Sequence, residues 1–144
     1  MPDAVNADRE LFQDDYIVVR VDADGLLVWL IRSSVAYPDI AALMWSFEGV
    51  IAALDRAGRS GRVMLFDTRA ARGRNDPEFE SAMAALRPRI ERQFVRVGVL
   101  VASAVGALQM RRWVSADGIE RLTGTSAVEL ANTLRAELAV PAKE

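Results

Sequence analysis

Asp67, Thr68, Arg69, Arg72, Arg74 and Asp76 fall within a single short stretch of the chain. Carboxylate, hydroxyl and guanidinium groups at such close spacing offer hydrogen bonding and charge recognition. Three guanidinium forks can clamp a carboxylate, a phosphate or an acidic protein surface bidentately. Asp76 precedes Pro77, the pairing of an N-cap acid with a first-turn proline that opens a helix. Free backbone N–H groups and the helix dipole at such an opening favour an anion. Ser103 is the second candidate: it follows a run of apolar residues and precedes a helical one, where a serine caps the helix. The plain alternative is a solvated loop whose arginines balance Asp67, Asp76, Glu78 and Glu80.

Other chemistry is closed off by composition. The chain contains neither histidine nor cysteine. That removes the thiol nucleophile, the disulfide framework, thiolate metal sites and the commonest metal ligand and general base. Pairing Ser103 or Thr68 directly with Asp67 makes a poor nucleophile, because a carboxylate is weakly basic unless strongly desolvated. No phosphate-binding loop or dinucleotide fingerprint accompanies these residues. We therefore expect no catalytic residue, no metal and no cofactor. The net charge of −2, without a basic tail or stripe, argues against nucleic acid.

The 144 residues suit one domain large enough to bury its own core, and the 51% hydrophobic content is ordinary for a globular chain. No apolar run reaches the ~20 residues of a membrane span, and the polar start lacks the apolar region of a signal peptide. With the absence of cysteine, these features favour a cytoplasmic protein.

The elements that must hold the candidate residues follow from pattern. Residues 1–14 lack periodicity and read as a flexible lead-in. The stretch from Tyr16 to Asp22 is β-branched and aromatic, and Asp24-Gly25 then turns it into a second strand from Leu26 to Ile31. Pro38-Asp39 opens a helix to about Ala57, with Ile40, Leu43, Met44, Phe47, Val50, Ile51 and Leu54 forming one apolar face and Gly58 beyond its end. Arg62 to Asp67 is a buried strand. The helix from Asp76-Pro77 runs toward Phe94 and meets Pro88, which is expected to kink or break it. Val95 to Ala102 is a strand covered on both faces, followed by a helix from Ala104 to about Ser115. Ile119 to Leu122 is a weak last strand, and a final helix runs from Thr125 or Ser126 to Leu138. The order β-β-α-β-α-β-α-β-α predicts an α/β fold, with a mixed, mostly parallel sheet begun by an antiparallel hairpin. One domain spans residues 15–140, with a tail at 141–144.

A third candidate is apolar. Trp45 points away from the core face of the first helix, and Met110, Arg111 and Trp113 sit together in the third. Exposed tryptophan and methionine beside arginine is the composition of a protein interface, here for a homodimer.

A leading hairpin followed by β/α units resembles the STAS domain, and in particular the SpoIIAA-like family of anti-sigma-factor antagonists. The stretches that carry the resemblance are Val63-Met64-Leu65-Phe66-Asp67-Thr68, Asn75-Asp76-Pro77 and Val97-Gly98-Val99-Leu100-Val101. The resemblance implies a SpoIIAA/STAS-like sandwich that regulates another protein, by a serine in an Asp-Ser dipeptide phosphorylated at the start of a helix. Laid on this chain, that dipeptide falls on Asn75-Asp76, so an aspartate stands where the family places its phosphoacceptor. The expectation is a non-enzymatic regulatory or scaffolding module that binds a partner protein at the loop end of the sheet, without a phosphoserine switch. A carrier or sensor of a small anionic or lipidic ligand, held between the first helix and the sheet, is the alternative; an enzyme of unknown class is the second.

Overall fold

The computed structural model describes residues 8–71, 76–103 and 121–139. Their elements run β1 (Arg9–Gln13), β2 (Ile17–Val21), β3 (Leu27–Arg32), α1 (Ile40–Ala57), β4 (Val63–Asp67), α2 (Pro77–Glu91), β5 (Val97–Leu100), β6 (Leu122–Gly124) and α3 (Ala127–Ala139). The six strands form one sheet in sequence order. β1, β2 and β3 pair antiparallel, and β3, β4, β5 and β6 pair parallel. The chain is thus α/β with a mixed sheet. The helix expected from Ala104 to Ser115 lies outside the described residues.

Each turn to the next element has a local cause. Asp22 accepts a backbone bond from Gly25, whose positive φ of 74° closes the β2–β3 hairpin. Asp39 caps α1 by accepting from Ala42 N–H at 2.8 Å, and Gly58 ends it at φ 91°. The core then splits by face. Ile17, Val19, Val28, Leu30, Met64, Phe66 and Val99 meet Leu43, Phe47, Val50 and Leu54 of α1 and Phe79, Leu86 and Ile90 of α2. Leu27, Val63, Leu65 and Leu100 meet Leu130, Ala131 and Leu134 of α3 on the opposite face. Every residue of β4 is buried, because helices cover it on both sides. Gly98 lets α3 lie close: a Cβ there would sit 2.9 Å from Leu134 Cδ1.

Two expectations give way here. The segment read as a lead-in holds strand β1. Leu11 and Phe12 are adjacent, so they break the alternation that marks a strand. A register shift between Glu10 and Phe12 lets both pack on the same core. Pro88 also fails to end its helix, which continues to Glu91. The proline forgoes the bond to the carbonyl of Ala84, but its own carbonyl still accepts from Arg92 N–H at 3.1 Å. The last turn is further secured by the buried Arg59, whose Nη1 donates to the carbonyls of Arg89, Ile90 and Arg92 at 2.7, 2.8 and 3.3 Å. Boundaries move as well. β5 is shorter than Val95–Ala102, and the last strand is Leu122–Gly124, a little beyond the expected Ile119–Leu122.

Candidate functional site

The carboxyl ends of β4, β5 and β6 lie in register, with Asp67 beside Leu100 and Leu100 beside Gly124. The chain leaving β4 is then tied to its neighbour. Thr68 N–H and Thr68 Oγ1 both donate to the carbonyl of Leu100, at 3.0 and 2.9 Å. Ala71 N–H returns to the Thr68 carbonyl at 3.1 Å, so the loop starts as a tight turn. The expected adjacency of the two strand ends is present, and Ser103 is exposed just past β5 on the same edge. Thr68 has its hydroxyl proton committed to the backbone, so its role is positioning.

Asp67 and Arg69 act as one unit. Asp67 Oδ1 accepts from Arg69 N–H at 3.0 Å and from its Nε at 3.1 Å, while Oδ2 accepts from Nη2 at 3.0 Å. The carboxylate is buried and the Arg69 side chain is 45% exposed. Hydrogen bonding to Asp67 raises the Arg69 pKa above its ordinary value. The result is a guanidinium held in a fixed orientation. Both carboxylate oxygens of Asp67 are thus engaged by Arg69.

At the opening of α2, Asp76 accepts from Glu78 N–H at 3.0 Å, and Glu78 and Glu80 stand in the first turn. These acids meet the helix dipole that a free anion would otherwise satisfy. The edge therefore carries both signs and suits a mixed-charge surface better than a lone anion. Arg72 and Arg74 lie outside the described residues.

The apolar candidate divides. Trp45 is 77% exposed on α1, between Leu43 and Phe47, which are buried. Met110, Arg111 and Trp113 lie outside the described residues. Among the described residues no group of three or more acidic, histidine or cysteine side chains is placed to hold a metal. No described helix is long and apolar enough to cross a membrane.

Two polar clusters escaped sequence reasoning. In the first, Ser46 Oγ donates to Asp14 Oδ2 at 2.6 Å. With the serine proton committed there, the Tyr37 hydroxyl donates to Ser46 Oγ at 2.9 Å. Asp14 Oδ1 also accepts from the backbone of Tyr16 and Ile17. Arg32 lies 4.6 Å from the centre of the Tyr37 ring, and Tyr16 stacks on Tyr37 at 4.3 Å. Burial pushes the Tyr37 hydroxyl up and the Arg32 guanidinium down. This chain joins the β1–β2 turn, the β3–α1 loop and α1, and it is a structural tie. Its one signal in the sequence is a serine on the apolar face of a helix. In the second cluster, Arg121 and Glu91 form a buried two-pronged pair at 2.7 and 2.8 Å, joining the approach to β6 to the end of α2.

No protein-family model, curated protein or solved structure significantly matches the chain.

Proposed function

We propose that this chain is a STAS-like regulatory or scaffolding module that binds a partner protein at the carboxyl edge of its sheet. The observation that carries the reading is the Asp67–Arg69 unit: a half-exposed guanidinium fixed by a buried carboxylate, on the edge where parallel strands end and binding groups usually gather. A fixed fork loses less freedom on binding than a free arginine, so it contributes more to recognition. The antiparallel opening followed by parallel β/α units is compatible with the family named above. Asp76 acts as the cap of α2, and no phosphoserine switch operates there.

Protein recognition is favoured over small-ligand carriage by what fills the space between α1 and the sheet. Phe47 packs against Tyr37 and Phe66 at centroid distances of 6.1 and 6.4 Å, and Leu43, Val50 and Leu54 complete that layer.

Replacing Arg69, Arg72 and Arg74 together by alanine is expected to weaken partner capture at least ~100-fold, as loss of a central charged anchor does. Some loss of melting temperature is expected, because Arg69→Ala leaves the buried Asp67 carboxylate without its fork; a native far-UV spectrum at the capture temperature shows that lost capture is not lost fold. Capture that survives the triple substitution removes the proposal.

A further inference from the structure

We infer that the outer face of α1 and α2 is a self-association surface, on which a second copy of this chain docks with its helices antiparallel. The inference stands apart from the carboxyl-edge reading. It begins at Trp45, which at 77% exposure is the most exposed large apolar side chain among the described residues. α1 and α2 each connect two parallel strands, so they run side by side from the carboxyl to the amino edge. Arg89 Nη1 and Nη2 reach across to Glu48 at 2.7 and 2.9 Å. Trp45 and Ala85 each lie about one turn before these bridged residues, so they stand level with one another.

The second observation is the order of charge beside Trp45. Glu78, Ser81, Ala85, Pro88 and the C-cap Arg92 are all exposed and recur at i, i+3, i+7, i+10 and i+14, the spacing of a seam along one side of a helix. Phe79, Leu86 and Ile90 take the opposite side into the core. The seam is small and uncharged at its centre and opposite in sign at its ends. Glu78 lies two turns before Ala85 and Arg92 two turns after it. A two-fold axis across the helices at Ala85 therefore sets Glu78 of each copy against Arg92 of the other, and Trp45 toward its own counterpart. Parallel pairing would set like charge on like, so the charges select the antiparallel arrangement.

The other charges on this face leave that order in place. Glu48 is held by Arg89, and Asp55 is shared between Arg59 at 3.1 Å and Arg92 at 3.3 Å. Arg56 adds to the basic end and Glu80 to the acidic end. The helix dipoles oppose the order, but with about half a charge at each terminus they do not reverse it. Size sets the strength. The 15 residues of α2 span ~22 Å, and a patch of that length two helices wide buries on the order of 1,000 Å² on pairing, near the lower limit of specific interfaces. The dimer is accordingly weak, with Trp45 as its anchor, and at low micromolar concentration the chain is monomeric.

Sedimentation equilibrium of the chain, from low micromolar concentration to ~500 µM, is the test. A mean mass that rises from 15.8 kDa toward twice that value supports the inference, provided that Trp45→Ala weakens the association at least ~10-fold. The charge order supplies a second arm. Glu78→Arg alone and Arg92→Glu alone each set like charges at both ends of the paired seam, so neither variant self-associates. An equal mixture of the two does, because opposite charges then meet at both ends. All three substitutions fall on exposed positions, and an unchanged far-UV spectrum checks that each variant is folded. A chain that stays monomeric throughout, association untouched by Trp45→Ala, or a mixture no better than its components overturns the inference. So does a monomer that instead binds anionic lipid vesicles in a Trp45-dependent way.

Discussion

Glu91→Ala is expected to cost about 3–5 kcal/mol of stability, because it takes the two-pronged carboxylate away from a guanidinium buried in the interior. Arg121 Nε and Nη2 reach Glu91 Oε2 and Oε1 at 2.7 and 2.8 Å, and both side chains are buried. In water an ion pair of this geometry is worth little, since solvent screens it and competes for its hydrogen bonds. Once both partners are withdrawn from solvent, their two mutual hydrogen bonds offset part of the cost of their desolvation. Removing the carboxylate gives up that offset while the guanidinium stays buried. Chemical denaturation should show a lower midpoint with an unchanged slope. Replacing both residues together by methionine should recover most of the loss, because the pair then disappears with its desolvation cost. If the single and double substitutions are equally damaging, the pair's charge is not what matters at this position.

The second large effect is expected at Phe47. Phe47→Ala should cost about 3–5 kcal/mol and lower the melting temperature by on the order of 10 °C. Its ring is fully buried between α1 and the sheet, tilted against Tyr37 and Phe66, and the tight neighbours can close only part of the cavity. Trp45→Ala, two residues earlier on the same helix, should change stability by less than about 0.5 kcal/mol, since Trp45 already faces solvent. Thermal unfolding of the two variants side by side separates them. Comparable losses in both would mean that α1 packs through a different face.

The contrast between Phe47 and Trp45 also shows what a sequence can disclose. α1 was legible because Leu43, Phe47, Val50 and Leu54 repeat at helical spacing between a proline-aspartate opening and a closing glycine. β4 was legible because its apolar run is too short for a helix and is bounded by Gly61 and Asp67, which leaves a doubly covered strand, and such strands deliver their next residues to the carboxyl edge. β1 was not, because two adjacent apolar residues entering one core require a bulge, and periodicity has no signature for it. The run of α2 past Pro88 depended on Arg59, thirty residues earlier in the chain, reaching the exposed carbonyls. Long-range capping of this kind leaves no local pattern.

The candidate site divides the same way. Asp67, Thr68, Arg69 and Ser103 could be placed on one edge from strand order alone. That Asp67 and Arg69 form a single fork, and that Asp76, Glu78 and Glu80 occupy the helix opening, required side-chain positions. The tie from Asp14 through Ser46 to Tyr37 spans thirty-two residues between its carboxylate and its serine. Nothing in the local sequence of Asp14 distinguishes it from its neighbour Asp15.

Hydrogen exchange on the complex with a captured partner tests the central claim most directly, because it reads which surface is covered without altering the chain. Slowed exchange over Thr68–Ala71 and Ala102–Ser103, with α1 around Trp45 unchanged, is the footprint expected of a partner seated on the carboxyl edge. Protection confined to the outer face of α1, with Thr68–Ala71 exchanging as in the free protein, contradicts it.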